Sequence, residues 1–320
     1  MIRAATDSRQ QLNEDPPMFF RNLTLLRYPT SINPCFENLE DALAPHALKP
    51  VGGLDLSSRG FVSPFGRGDT VLSHRICDAV LLTLGGEDKL LPGSVVNDAL
   101  SAKLDYIRES EGRNPGGRER KRIKDEVLTE MLPRAFARSS RCSAYLDLQL
   151  GWAVVDSSSR KHAENFASAL RQALGSFPAV PVSGESSPRA LMTAWIAGEP
   201  LPQGFVLGEE CELRDPVDSG AIVKAKRQEL ESEEIREHLK CGKQAFQVAL
   251  IFEGRLSFVL GEDLVIRKLK FLETVTEKLD QGERDNARDE VDAVFVLMSG
   301  ELRILLKRLE AIFRLRKAEA

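Results

Sequence analysis

Apolar positions recur along this chain with two different periods, and the period in each stretch sets the element expected there. Residues 19–26 read as a strand, and 35–48 as a short helix with Phe36, Leu39 and Leu43 on one face. The Gly-, Ser- and Pro-rich stretch 52–68 is expected to be a loop anchored by Phe61 or Phe65. Residues 79–84 form a β-like run closed by Gly85-Gly86, and Pro92 precedes a helix expected over 94–110. A second helix, 118–132, follows the breaker Asn114-Pro115-Gly116-Gly117, which pairs the two as a helical hairpin. Between Tyr106 and Val127 the only large apolar residues are Ile107 and Ile123, so this hairpin is expected to project into solvent.

Residues 143–150 and 152–155 signal a β-hairpin that turns at Gly151. The next helix has caps on offer in Asp156 and Ser157-Ser158-Ser159, a stripe of Phe166, Leu170 and Leu174, and a stop at Gly175. Prolines interrupt 178–202, where a domain boundary is expected. Ser232-Glu233-Glu234 opens a helix that ends near Gly242, its acidic first turn matching the helix dipole. Residues 246–252, 255–260 and 265–271 then read as an antiparallel meander, 292–298 as a fourth strand, and the rest as a helix carrying Leu302, Leu305, Leu306, Leu309, Ile312 and Phe313.

The pattern makes this an α+β chain: antiparallel sheets with packed helices in two blocks, plus the projecting hairpin. The expected division is a central domain of 18–92 and 133–180, a hairpin tip of 93–132, and a C-terminal domain of 181–320. Residues 1–17 are polar, end in Pro16-Pro17, and are expected to be a disordered extension, so that the working protein effectively starts near Met18. With 42% hydrophobic residues in 320, sizeable cores can form, yet no run reaches the length of a spanning helix and no signal-peptide core is present. The default compartment is then the cytoplasm, with no membrane partner. Five widely spaced cysteines without a C-x-x-C pair are expected to be reduced and mostly in the core.

Several chemistries are absent. The four histidines show no metal-ligand spacing, and Gly242-Lys243 is followed by Gln244 where a phosphate loop needs Ser or Thr. Ser158-x-x-Lys161 matches an acyl-enzyme fragment but sits where a helix cap belongs. No catalytic residue, metal site or cofactor is therefore assigned. Asp285, Asp289, Glu290 and Asp292 keep open an alternative, a metal-dependent nucleic-acid-processing enzyme. A third reading is an interaction module built on the amphipathic C-terminal helix.

Charge changes the picture more. The chain carries formal net charge −4, yet Arg118, Arg120, Lys121, Arg122 and Lys124 crowd the hairpin against Glu119 alone. A second cluster, Lys224-Ala225-Lys226-Arg227-Gln228, precedes the acidic helix start. Solvated helix face is the plain reading of the first. Neither cluster interleaves aromatic rings, so contacts to a duplex backbone fit better than base stacking.

These residues, with others, resemble a known family. Phe20-Arg21-Asn22-Leu23, Lys89-Leu90-Leu91-Pro92, Asp125-Glu126-Val127-Leu128, Leu132-Pro133-Arg134-Ala135-Phe136 and Gly175-Ser176-Phe177-Pro178 are similar to segments of the recombination-associated protein RdgC family. So are Gln203-Gly204-Phe205, Ala225-Lys226-Arg227-Gln228-Glu229-Leu230 and Met298-Ser299-Gly300-Glu301-Leu302, all in order from Met18 to about Phe313. The resemblance implies a nucleoid-associated, non-enzymatic protein whose homodimer closes as a ring around double-stranded DNA, binds it with little sequence preference, and restrains RecA. The motif match sets Lys224, Lys226, Arg227 and Gln228 at the DNA, and the charge of the hairpin adds Arg118, Arg120, Lys121 and Arg122. Phe136, a large ring beside Arg134 and Arg138, is expected at the dimer interface, with a core ring at the helix end as the alternative. The extra N-terminal residues and the Asn114-Pro115-Gly116-Gly117 break depart from the family pattern. An acidic exterior with a basic inner wall would reconcile the net charge with DNA binding.

Overall fold

The computed structural model describes residues 19–217, 221–280 and 287–318; the expected disordered extension and Asp285 lie outside them. In chain order the chain forms β1 (Leu23–Arg27), α1 (Leu39–Leu43), β2 (Ser57–Val62), β3 (Ser73–Ile76), β4 (Ala79–Lys89), α2 (Gly93–Glu111) and α3 (Gly117–Met131). It continues through β5 (Ala137–Asp147), β6 (Trp152–Asp156), α4 (Arg160–Leu174), β7 (Val180–Pro181), α5 (Pro188–Ile196), β8 (Phe205–Arg214) and β9 (Ile222–Lys226). Last come α6 (Glu233–Lys240), β10 (Gln244–Phe252), β11 (Leu256–Gly261), β12 (Ile266–Phe271), α7 (Glu273–Asp280) and α8 (Ala287–Phe313). The fold is α+β, and it divides into two compact units.

Among the described residues, the larger unit holds those up to Pro45, Ser63–Thr83 and those from Cys142 on. Its strands run in the order β5-β6-β1-β12-β11-β10-β8-β9, with antiparallel pairing in the registers that join β1 to both β6 and β12. Leu23 of the first strand thus lies opposite Ile266 of the last. Alternate residues of these strands, among them Leu25, Val154, Val248, Leu250 and Leu260, enter one core with Met192, Trp195 and Ile196 of α5. Helix α8 fills the same core with Val291, Phe295, Met298, Leu302, Leu305, Leu306, Leu309 and Phe313.

That spacing corrects the expected strand at 292–298, which is helical. Period two would bury Val296 with Val294 and Met298, but Val296 is 47% exposed while Val291, Val294, Phe295 and Met298 are buried at helical intervals. The strand expected from residue 19 begins at Leu23, because Phe19 stacks on Phe271 at 4.3 Å and Phe20 packs on Tyr145 at 6.0 Å. The expected helix at 35–48 is one short α-helical turn between 3-10 segments Thr30–Phe36 and Ala44–His46, each containing a proline that removes an N–H. Phe36, Leu39 and Leu43 are nevertheless buried, as are Phe166 and Leu170 of the α4 stripe. Ser159 is the N-cap residue of α4 without a side-chain cap bond. Asp156, offered as a cap, instead accepts the backbone N–H groups of Arg21 and Asn22 at 3.0 and 2.9 Å. The thiols are free as expected but not mostly in the core: Cys35, Cys77 and Cys241 are exposed, and Cys211 alone among the five is buried.

The smaller unit comprises His46–Val62 and Leu84–Arg141. Its β2 replaces part of the loop expected at 52–68 and pairs with β4. Gly60 makes that strand possible, since a Cβ there would sit 2.5 Å from the Leu48 backbone, whose N–H donates to Phe61 O at 2.9 Å. Strand β4 runs on through Gly85-Gly86 instead of stopping, because the missing side chains leave room for Val62 and Arg59 of β2. Helices α2 and α3 form the expected hairpin, with a small core of Val96, Leu104, Ile123 and Val127. Gly112 ends α2 in the left-handed region at φ 64°, which suits glycine.

Candidate nucleic-acid interface

The first basic cluster is a helix face. Ile123 and Val127 turn inward to α2, so Arg118, Arg120, Lys121, Arg122 and Lys124 stay exposed on the remainder of α3. Arg122 lies 3.5 Å from Glu126, a weak pair one turn away. Arg118, Arg120, Lys121 and Lys124 have no carboxylate within 4.0 Å among the described residues. Arg113 spans the break between the helices, with Nε 2.6 Å from Glu111 and Nη1 2.7 Å from Glu119. The hydrogen bond from Arg113 holds the Glu119 carboxyl below the usual range, so the one acidic residue in the cluster stays ionised and is paired with Arg113 rather than with the cluster's own cations.

The second cluster is built on β9 of the larger unit. Lys224 and Lys226 flank buried Ala225, and the register sets them opposite Glu212 and Glu210 of β8. Lys224 Nζ is 3.0 Å from Glu212, which also accepts Arg214 Nε at 2.6 Å. Burial pushes the Glu212 carboxyl up, but the hydrogen bonds from Lys224 and Arg214 outweigh it and hold it below the usual carboxylate range. Lys226 has no such partner among the described residues. Arg227 then leaves the strand in the left-handed region, φ 55°, exposed. Gln228 is spent locally: its amide donates to Glu234 Oε2 at 2.9 Å and fastens the segment to the start of α6.

Phe136 is 84% exposed, which removes the alternative of a core ring at a helix end. Its carbonyl accepts Leu90 N–H at 2.7 Å, so the backbone beneath the ring is fixed. Sequence reasoning missed the carboxylates Glu210 and Glu212, although the alternation Glu210-Cys211-Glu212-Leu213-Arg214 is a period-two signal for β8. Of the acidic residues weighed for a nuclease, Asp289, Glu290 and Asp292 sit at the start of α8, and there Asp292 pairs with His74 Nε2 at 2.7 Å. Among the described residues no three His, Cys, Asp or Glu side chains converge in a way that could hold a metal ion.

A family model described as "Putative exonuclease, RdgC" matches residues 18–316. The chain belongs to the RdgC family. Curated relatives named recombination-associated protein RdgC include one from Xanthomonas oryzae pv. oryzae, 57% identical over 303 residues, 94% of this chain and 100% of the relative. One from Xanthomonas campestris pv. campestris is 57% identical over 304 residues, covering 95% and 100%. One from Stenotrophomonas maltophilia is 56% identical over 304 residues, covering 94% and 100%. RdgC membership ties the chain to recombination, and no described helix is long and apolar enough to cross a membrane.

Proposed function

We propose that the protein is a non-enzymatic binder of double-stranded DNA, largely indifferent to sequence, that acts as a homodimeric ring and restrains RecA at the nucleoid. The observation that carries the reading is the set of exposed cations without carboxylate partners among the described residues, Arg118, Arg120, Lys121 and Lys124 on α3 with Lys226 and Arg227 at the end of β9, in a chain whose net charge is −4. Local positive surface on an acidic protein concentrates binding where those residues stand. Long flexible cations without interleaved rings suit phosphates, which give affinity without a sequence code. Phe136, an exposed aromatic ring on a fixed backbone, is the anchor we assign to subunit contact.

The description of the matching family model favours a second reading, an exonuclease. One experiment separates the two. A labelled duplex is titrated with protein at several salt concentrations, with and without magnesium, and the free protein is sized in parallel. Binding that weakens steeply with salt, an intact label and a dimer support the proposal. Progressive shortening of the label selects the nuclease, and a flat salt response or preference for one short sequence overturns the backbone reading.

A further inference from the structure

The face of the larger unit's sheet that bears Lys224 and Lys226 continues across β10 and β11 to β12. Glu212 lies opposite Gln247, Gln247 opposite Gly261, Ala249 opposite Val259, Val259 opposite Arg267, and Ser257 opposite Lys270. All of these stand on the side away from the core that Val248, Leu250, Leu260 and Ile266 enter. The face is curled. In the order β12-β11-β10-β8 the outer two strands are three spacings apart, about 14 Å in a flat sheet. Yet the backbones of β11 and β8, two spacings apart, approach more closely than a flat sheet allows. Across the remaining gap the long side chain of Lys268 on β12 brings its Nζ to 2.5 and 2.6 Å from the two carboxylate oxygens of Glu210 on β8. Irregularities in register at Ala245/Gln247, Val248/Leu250 and Ser257/Val259 supply the bend. Strands β8 and β10 lie close together here, since a Cβ on Gly208 would come 2.8 Å from the Ala249 Cβ. A polar groove of about 220 Å³ opens on the sheet, lined by Lys224, Lys226 and Lys268 with Glu210, Glu212 and Gln247 among others.

We infer that this concave face is a seat for the phosphate backbone of a duplex, and that Lys268 and Lys270 of β12 are phosphate contacts alongside Lys224 and Lys226. The inference rests on the duplex-binding reading above. Cations exceed carboxylates on the face: Arg267, Lys268, Lys270, Lys224 and Lys226 stand with Glu210, Glu212 and Asp263, and Asp263 is matched by Arg267 at 2.6 Å. Lys226 and Lys270 are exposed and have no carboxylate partner among the described residues. The Lys268 and Lys224 side chains are 55% and 59% exposed, so their pairs with glutamate are weak and yield to a regular row of phosphates. No aromatic side chain is among the residues lining the groove, which leaves backbone charge rather than base identity as what it recognises.

The test compares salt dependence of duplex binding in the parent and in Lys268→Gly/Lys270→Ala. Lys268 has φ 53°, so glycine removes the ammonium without straining the backbone. The double variant is expected to lower the slope of log affinity against log salt by about 2, and to weaken binding roughly 5- to 10-fold per lysine near 0.1 M salt. Lys270→Glu, a single change at an exposed strand position, is expected to weaken binding further than the neutral change at the same site. Lys161→Glu, which alters net charge by the same two units as either β12 variant from an exposed position on α4, is expected to leave the slope unchanged. If the parent and Arg227→Ala behave as DNA binding requires while both β12 variants bind as the parent does, this inference falls and the functional reading stands. If the parent fails to bind duplex at low salt, the functional reading falls first.

Discussion

Arg303 of α8 donates through Nε to Oδ2 of Asp147, at the end of β5, across 2.7 Å, and the carboxylate is 2% exposed. The other oxygen, Oδ1, accepts the backbone N–H groups of Gln149 and Leu150 at 3.0 and 2.9 Å, which shapes the β5–β6 turn. One buried carboxylate therefore couples the last helix to a hairpin more than a hundred residues earlier. Arg303→Ala should cost about 3 kcal/mol, because it strands a charge that is buried and hydrogen-bonded on one side only. Urea midpoints at constant m-value measure it, and a double cycle with Asp147→Asn should show coupling above about 1 kcal/mol.

Glu212 has a folded-state pKa below its ordinary value, so its ionised form stabilises the fold above about pH 4.5 and that contribution is lost as pH falls through the lower, folded value. Glu212→Gln should lower stability at pH 7 by up to about 1 kcal/mol, since Lys224 and Arg214 are half in solvent, and should converge with the parent at an acid pH below the folded value. Thermal melts at the two pH values decide this.

Gly60→Ala should destabilise the smaller unit by about 2–3 kcal/mol, because the new methyl meets the Leu48 backbone rather than a side chain that could move aside. Faster amide exchange at Leu48, whose N–H donates to Phe61 O, is the local readout.

Replacing Arg118, Arg120 and Lys121 together by Ala removes no core, and should change stability by less than about 0.5 kcal/mol per site. It should lower the salt slope of duplex binding by up to about 0.9 for each phosphate no longer neutralised. An unaltered slope would leave the cluster as a solvated helix face.

Phe136→Ala should shift the sizing equilibrium toward monomer while the melting temperature of the protomer holds, since a ring 84% exposed contributes little to its own fold. A variant that remains as dimeric as the parent removes Phe136 from the interface.

Much of this architecture was legible from period alone. The meander, both hairpins and α4 with its Gly175 stop follow from local alternation and breakers. Of the elements that did not, three have a nameable reason. Asp292 to Met298 is dense enough in apolar residues to satisfy either period, and only the continuation through Leu302, Leu305 and Leu309 favours the helix. Strand β2 hides in glycine and serine because its close neighbour is the Leu48 backbone, a contact distant enough in sequence to leave no local trace. Strand β8 hides behind carboxylates that are buried or half-buried only because Lys224, Arg214 and Lys268 meet them. The basic clusters were visible as composition; that Lys268 belongs with Lys224 and Lys226 was not, because the curl of the sheet joins them.

The register of Leu23 against Ile266 also sets a timetable for synthesis. On the ribosome the first strand emerges long before its β12 neighbour, by on the order of ten to fifty seconds at ordinary elongation rates. During that interval β1 can pair with β6, but its β12-facing edge is open and the apolar residues meant for α8 face solvent. The nascent chain is then a substrate for holding factors, and the final closure of the sheet is a late step that waits for the C-terminal helix.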